Sequence, residues 1–297
     1  MLKIKRCKLD KDEDLLNYFE KLTSSLDIHN VFNPSFYCDE NVKIFAFRAI
    51  PHGSDELTPY LSIEDKSGHL VKNISADFCK ELNAVRLIDP KVAKINEEFY
   101  ITFNSGCVPR GNDIFIMKVY PKMEPPKRAI YKNRKKQERN WAFFSDKGEI
   151  YALYWINPLK ILKVKNISDK EWEMEDFYCG KEDNGILNGL TIGTQLSYSN
   201  DKHYFVAHKK LYFFGKKIYL GKFCELDFSK KQIKTGKNWL VHSFKSLFGS
   251  KLKHNTNLLS CTYFSGIQVS NGSIKLGYGV NDVEFGFSSH KLVELAE

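Results

Sequence analysis

The residues of this chain that could do chemistry sit at the ends of short apolar strands. Asp89 precedes Pro90 in "RLIDPKV", a string flanked by Arg86 and Lys91, and the strand pair that follows ends at Asn104. Asp before Pro is an ordinary turn signal. Its interest lies in recurrence. Asn33 and Arg48 bound one such stretch, Asn140 and Asn157 another; His208 ends a third and Asp282 a fourth. A carboxylate can exchange a proton, Arg and His can hold an anion, and Asn can hydrogen-bond to hydroxyls.

The elements that must position these residues form a repeat. Five segments share a polar head, an apolar strand, a polar turn, an aromatic-rich strand and a polar tail. They are "NPSFYCDENVKIFAFRAI" from Asn33, "DPKVAKINEEFYITFNSG" from Asp89 and "NWAFFSDKGEIYALYWINP" from Asn140, followed by "GTQLSYSNDKHYFVAHKK" from Gly193 and "YFSGIQVSNGSIKLGYGVND" from Tyr263. The turns "DEN", "NEE", "DKGE", "SNDK" and "SNGS" suit hairpins. Further strands, such as "DIFIMKVY", "KILKVKN", "KIYLGKFCELDF" and "HKLVEL", fill the gaps between copies. Heads at 33, 89, 140, 193 and about 264 give periods of 56, 51, 53 and 71 residues. Units of about four strands at such periods indicate an all-β fold, a five-bladed β-propeller; a β-sandwich is the alternative.

Ahead of the strands, "DKDEDLLNYFEKLTSSL" predicts one helix from Asp10 to Leu26, with acidic residues at its start and an apolar stripe. This gives a helical extension over residues 1–30 and a propeller over 31–297. In such a fold the heads and tails converge on a central funnel, so Asn33, Arg48, Asp89, Asn140, Asn157, His208 and Asp282 become neighbours.

Bulk properties narrow the class. At 297 residues with 42% hydrophobic and 14% aromatic content, the chain can build a real core. The net charge of +9 owes much to "PKRAIYKNRKKQER" (126–139), which reads as a solvated basic loop. No helix-turn-helix, zinc-finger or aromatic RNA-binding pattern occurs, so no nucleic acid partner is expected. Seven scattered cysteines, at 7, 38, 79, 107, 179, 224 and 261, form no C-x-x-C pair and read as reduced thiols. With no apolar leader and no run of transmembrane length, a cytoplasmic protein is expected, at most peripheral to the inner face of a membrane. Neither a cofactor motif nor a metal-ligand spacing is present, so neither is expected.

The strings "NPSF…IFAFRAI", "RLIDPKV…EEFYITFNSG", "RNWAFFSDKGEIYALYWINPLKIL" and "YFSGIQV…LGYGVND" resemble the five-bladed propeller proteins related to family 130 glycoside phosphorylases, the mannoside phosphorylases, and the propeller glycosyltransferases derived from them. In that family the catalytic acid is the Asp of a Glu-Asp-Pro-Arg string. The resemblance assigns that role to Asp89, although Ile88 and Lys91 replace the flanking acid and Arg. A Gly-Gly-Thr-Pro turn of the family reads Ile192-Gly193-Thr194-Gln195 here.

A glycosidase ordinarily needs two carboxylates, whereas a phosphorylase replaces one with phosphate and a transferase runs similar chemistry towards synthesis. Both of the latter need one carboxylate and several cations. Arg48, Arg86, Lys91, Lys160 and His208 supply candidates for phosphate; Asn33, Asn104, Asn140, Asn157, Tyr278 and Asp282 for sugar hydroxyls; Trp141 and Trp155 for stacking on a sugar face. Plain alternatives stand beside these: a turn cap for Asp89, rim charges for Arg86 and Lys91, an outward Lys160, a structural His208 and a core Trp141. The leading expectation is a glycosyltransferase of capsule or lipopolysaccharide synthesis. It would use a phosphorylated or nucleotide-activated sugar donor and an oligosaccharide or lipid-linked glycan acceptor, with Asp89 as general base. The alternative is a glycoside phosphorylase or hydrolase of mannoside-like oligosaccharides, with Asp89 as general acid.

Overall fold

The computed structural model describes residues 6–106, 111–138, 140–182, 184–242 and 255–296. Cys107 and Arg139 lie outside these residues. The other six cysteines are free thiols. Among the described residues no helix is long and apolar enough to cross a membrane.

The chain opens with a short strand β1 (Arg6–Cys7) and helix α1 (Glu13–Ser24). Asp12 caps the helix, its carboxylate accepting from Leu15 N at 3.1 Å, so the helix starts later than its acidic run. Antiparallel meanders follow. The first is β2 (Ile28–Cys38), β3 (Val42–Pro51), β4 (Thr58–Asp65) and β5 (Gly68–Asn73), in that spatial order. The second is β6 (Ile88–Ile95), β7 (Glu98–Asn104), β8 (Ile114–Tyr120) and β9 (Lys127–Tyr131), and the third β10 (Ala142–Asp146), β11 (Glu149–Trp155), β12 (Lys160–Ile167) and β13 (Glu171–Cys179). Next, β14 (Leu190–Ile192) and β15 (Ser197–Ser199) both pair with β16 (Lys202–Phe213), which leads to β17 (Lys216–Asp227) and β18 (Gln232–Leu240). The last meander is β19 (Leu258–Ser270), β20 (Ser273–Val280) and β21 (Glu284–Lys291). Every predicted hairpin turn joins two paired strands.

Two differences from the expected elements have local causes. Asn73 caps a short helix α2 (Ile74–Phe78), accepting from Ala76 N at 3.1 Å, where only strands and turns were expected. The string "HKLVEL" leaves the sheet at Lys291 and forms helix α3 (Leu292–Ala296). The basic run is also not all loop, for Lys127–Tyr131 is β9, paired in parallel with β13.

Packing makes the meanders into a ring. Ile44, Ala46 and Leu61 of the first pack with Ile101, Phe103 and Phe115 of the second. Tyr100 and Ile116 of the second pack with Trp141, Phe143 and Leu162 of the third. Phe144 and Leu153 of the third meet Phe205 and Leu226, and Val206 and Phe223 meet Phe264 and Leu276 of the last. The final cluster returns to the start: Phe287 of β21 packs with Phe36, Phe45 and Phe47 of β2 and β3. Curled, near-closed sheets of this kind are consistent with a β-propeller.

The N-terminal residues complete that closure. Asp12 N donates to Phe287 O at 3.1 Å and Ser289 N to Asp10 O at 2.9 Å, which adds a short stretch to the free edge of β21. Phe19 of α1 is fully buried against Phe45, Phe47, Phe285 and Phe287, with ring centroids 4.9 to 5.4 Å apart. Phe19→Ala should therefore lower unfolding stability by about 3–5 kcal/mol, read from urea midpoints. A loss below about 1 kcal/mol would mean that α1 is dispensable to the closure.

Candidate functional site

A cleft of about 430 Å³ opens at the end of the ring where the strand heads meet, and Asn33, Asp89, Asn140 and Asp282 all line it. These four share a backbone state, with φ of +53, +56, +58 and +59°. Among non-glycine residues, Asn and Asp enter this left-handed region most readily. The pairing register slips at the same points, between Phe32 and Ser35 and between Ile88 and Lys91. A bulge of this kind re-aims a side chain. Pro34 and Pro90 have no N–H to leave unpaired at the slip. The Asn-Pro and Asp-Pro pairs thus fit bulged heads whose polar side chains turn toward the axis.

Asp89 Oδ1 accepts from Arg48 Nη1 at 3.2 Å, and the two side chains are only 16% and 14% exposed. The Arg48 guanidinium also lies 5.0 Å from the Phe32 ring, and its Nε is buried without a hydrogen-bond partner. Arg48 comes from β3 and Asp89 from β6, so this ion pair spans the first two meanders.

Lys91, two residues on, lies beneath the cleft and is 1% exposed. Its Nζ donates to Asn140 Oδ1 at 2.7 Å and to the Gly193 carbonyl, and lies 5.6 Å from the Tyr263 ring centre. Burial pulls its amine down to about 7, while the neighbouring Asp89 charge pulls the other way. Asn140 relays the contact, its Nδ2 donating to Ile192 O at 2.9 Å and to the Tyr263 hydroxyl at 3.2 Å. A side chain at Gly193 would meet Val206 O at 2.4 Å and the His208 ring at 2.8 Å, so only glycine lets the carbonyl reach this amine.

His208 lines the cleft but is held neutral: burial, then the charges of Lys91 and Lys210, push it well below the usual histidine range. Its Nε2 accepts from Phe264 N at 2.9 Å, and its ring sits 4.4 Å from Tyr263. Its acceptor nitrogen is thus committed to the backbone, and the ring brings a surface to the site, not a cation.

Of the other sequence candidates, all but Trp155 lie off the cleft. Arg86 is exposed beside Gly106. Asn104 is buried, taking Gly106 N at 2.9 Å and Asn112 Nδ2 at 3.3 Å. Trp141 is core, and Tyr278 packs 5.6 Å from Phe264. Lys160 is bound to the Tyr131 hydroxyl at 2.5 Å and Asp176 at 2.9 Å. The carbonyl of Asn157 accepts from Trp155 Nε1 at 2.8 Å. Trp155 itself lines the cleft, with Lys135 Nζ 3.6 Å over its ring.

The structure adds Glu138, Tyr154, Lys210, Tyr212, Lys217, Tyr219 and Tyr263 to the lining. Glu138 is 3% exposed and its carboxylate is committed. Oε1 accepts from the Tyr154 hydroxyl at 2.6 Å and from Lys135 N; Oε2 accepts from Trp141 Nε1 at 3.0 Å. Burial and this bond push the Tyr154 hydroxyl far up. An acid within a basic run two residues before the Asn140 head was the available signal. Among the described residues no group of three His, Cys, Asp or Glu is arranged to hold a metal ion.

No protein-family model and no curated protein matches the chain. Solved structures do. A GH130 structure, from the mannoside phosphorylases that include glycoside hydrolases targeting β-1,2 mannosidic linkages in Candida mannan, aligns with TM-score 0.61 and 12% identity over 91% of this chain and 87% of its own. The β-1,2-mannobiose phosphorylase of Listeria innocua aligns with TM-score 0.59 and 12% identity, over 90% and 91%. A glycosyl hydrolase of Bacteroides ovatus aligns with TM-score 0.60 and 10% identity, over 91% and 86%. At such identities the likeness defines the fold: this chain has the all-β architecture of those proteins.

Lys91 makes a pH prediction. Between about pH 7 and its ordinary value of 10.5, the unfolded chain binds more protons at this amine than the folded one, so stability contributed here rises with pH. From pH 7 to 9.5 the wild-type urea midpoint should rise relative to that of Lys91→Met. Parallel midpoints would show that the buried amine is not perturbed.

Proposed function

We propose that this protein is a glycoside phosphorylase of mannoside-like oligosaccharides, built on a five-bladed β-propeller over residues 31–297, with Asp89 as general acid. The observation that carries the reading is one carboxylate, Asp89, held against Arg48 in a cleft that also holds Lys210 and Lys217. Protonated Asp89 gives its proton to the glycosidic oxygen while a phosphate oxygen attacks C1. The C1–O bond breaks, and the products are a sugar 1-phosphate and the shortened sugar. Arg48, matched to bidentate oxyanion contact, leaves the carboxylate for the phosphate.

Phosphorolysis is favoured over hydrolysis by the cations of the lining and by the state of Glu138, one of its two further acids. A hydrolase needs a base or nucleophile opposite the acid, and both Glu138 oxygens are already bound to Tyr154, Trp141 and Lys135. Asp282 is the remaining carboxylate of the lining and would take that role in a hydrolase. Asn33 and Tyr263 are the groups for sugar hydroxyls, and Trp155 the ring for a sugar face; Asn140, its amide already bonded, holds Tyr263 in place.

The synthetic direction, with an activated donor and a role in capsule or lipopolysaccharide assembly, has less behind it. The solved structures that share the fold include hydrolases and phosphorylases. The cations expected to hold a donor phosphate also change, for Lys91 is buried and His208 neutral.

Manno-oligosaccharides should yield a sugar 1-phosphate only when orthophosphate is present. Asp89→Asn keeps a residue that accepts left-handed backbone and should lower turnover by about 10²–10⁴-fold in a protein that still melts cooperatively, at a lower temperature because Arg48 loses its partner. Unchanged turnover would remove Asp89 from the chemistry. Release of phosphate or nucleotide from an activated sugar would overturn phosphorolysis in favour of synthesis.

A further inference from the structure

The hairpin of β16 and β17 ends in an exposed aromatic tip. Tyr212, Phe213 and Phe214 are 67%, 56% and 89% exposed. Consecutive strand residues point to opposite faces, so among the described residues neither face of this tip is covered. Phe214 has φ of +47°, a turn position that Asn or Gly occupies at less cost, and its ring meets Phe213 edge-on at 4.5 Å. No burial offsets that backbone strain. A tip serving the fold alone would be polar.

Charge surrounds the rings. Lys209 and Lys210 precede them and Lys216 and Lys217 follow, and the chain has no acidic residue between Asp201 and Glu225. Aromatic rings enter the headgroup layer of a bilayer, and a lysine collar is drawn to anionic lipid. A second copy of this chain would bring the same lysines and be repelled. A projecting tip, moreover, offers no groove for a partner segment.

We propose that this hairpin docks the protein onto the surface of an anionic bilayer, Phe213 and Phe214 inserting among the headgroups and the four lysines binding their phosphates. Tyr212, Lys210 and Lys217 also line the cleft, so docking sets the cleft mouth at the headgroup layer. The proposal rests on the hairpin and not on the reaction assigned to the cleft.

Flotation with vesicles of phosphatidylcholine, alone or mixed with phosphatidylglycerol, tests it. Wild type should float with the anionic vesicles, far less with neutral ones, and lose binding as salt is raised. Phe213→Ser/Phe214→Ser should bind at least about tenfold more weakly with an unchanged melting temperature. Three outcomes would overturn the proposal: wild type that floats with neither vesicle, a double variant that binds as wild type does, or wild-type self-association that the variant abolishes.

Discussion

One buried amine organises the cleft. Lys91 rises from the second meander beneath the floor, bonds Asn140 from the third and the Gly193 carbonyl from the fourth, and faces the Tyr263 ring of the last. A lone ammonium stripped of water is costly; this one meets that cost with two oxygens, an aromatic face and a drop to about 7. Its removal would leave Asn140 Oδ1 and a buried carbonyl without their donor.

The heads around it share a device. A left-handed Asn or Asp at the entry to an inner strand carries the side chain off the ladder and toward the axis. Because the same backbone state is used at the heads Asn33, Asp89 and Asn140, and again at Asp282 after the end of β20, their chemistry can differ while the backbone stays alike. Asn140 spends its amide on neighbouring groups. Asp89 instead bonds an arginine from a different meander. Its arginine is the group that would exchange this carboxylate for another anion.

Much of the frame was legible because its signals are local. Period-two strands, turn residues at each hairpin and an approximately regular repeat located the heads, and Asp89, Arg48, Asn33, Asn140, His208 and Asp282 do share the cleft. The remainder depends on distance in the fold. Tyr219, Lys210 and Lys217 lie on a hairpin whose length exceeds that of its counterparts, so they reach the cleft from beyond the repeat unit. Glu138 was hidden by the basic residues around it. Lys160 lies two residues past the end of the third copy, yet β12 brings it to Asp176 and the Tyr131 hydroxyl. Lys91 and His208 read as cations for phosphate, because sequence shows a residue's type and not its burial.

The central claim is that the cleft moves a glycosyl group from an oxygen to phosphate, and the fate of oxygen tests it. Manno-oligosaccharide would be incubated with unlabelled orthophosphate in ¹⁸O-enriched water, and the products weighed by mass spectrometry. Attack by phosphate predicts a sugar 1-phosphate without ¹⁸O. Cleavage that yields only free sugars and no sugar 1-phosphate would mean that water is the nucleophile and would contradict the account.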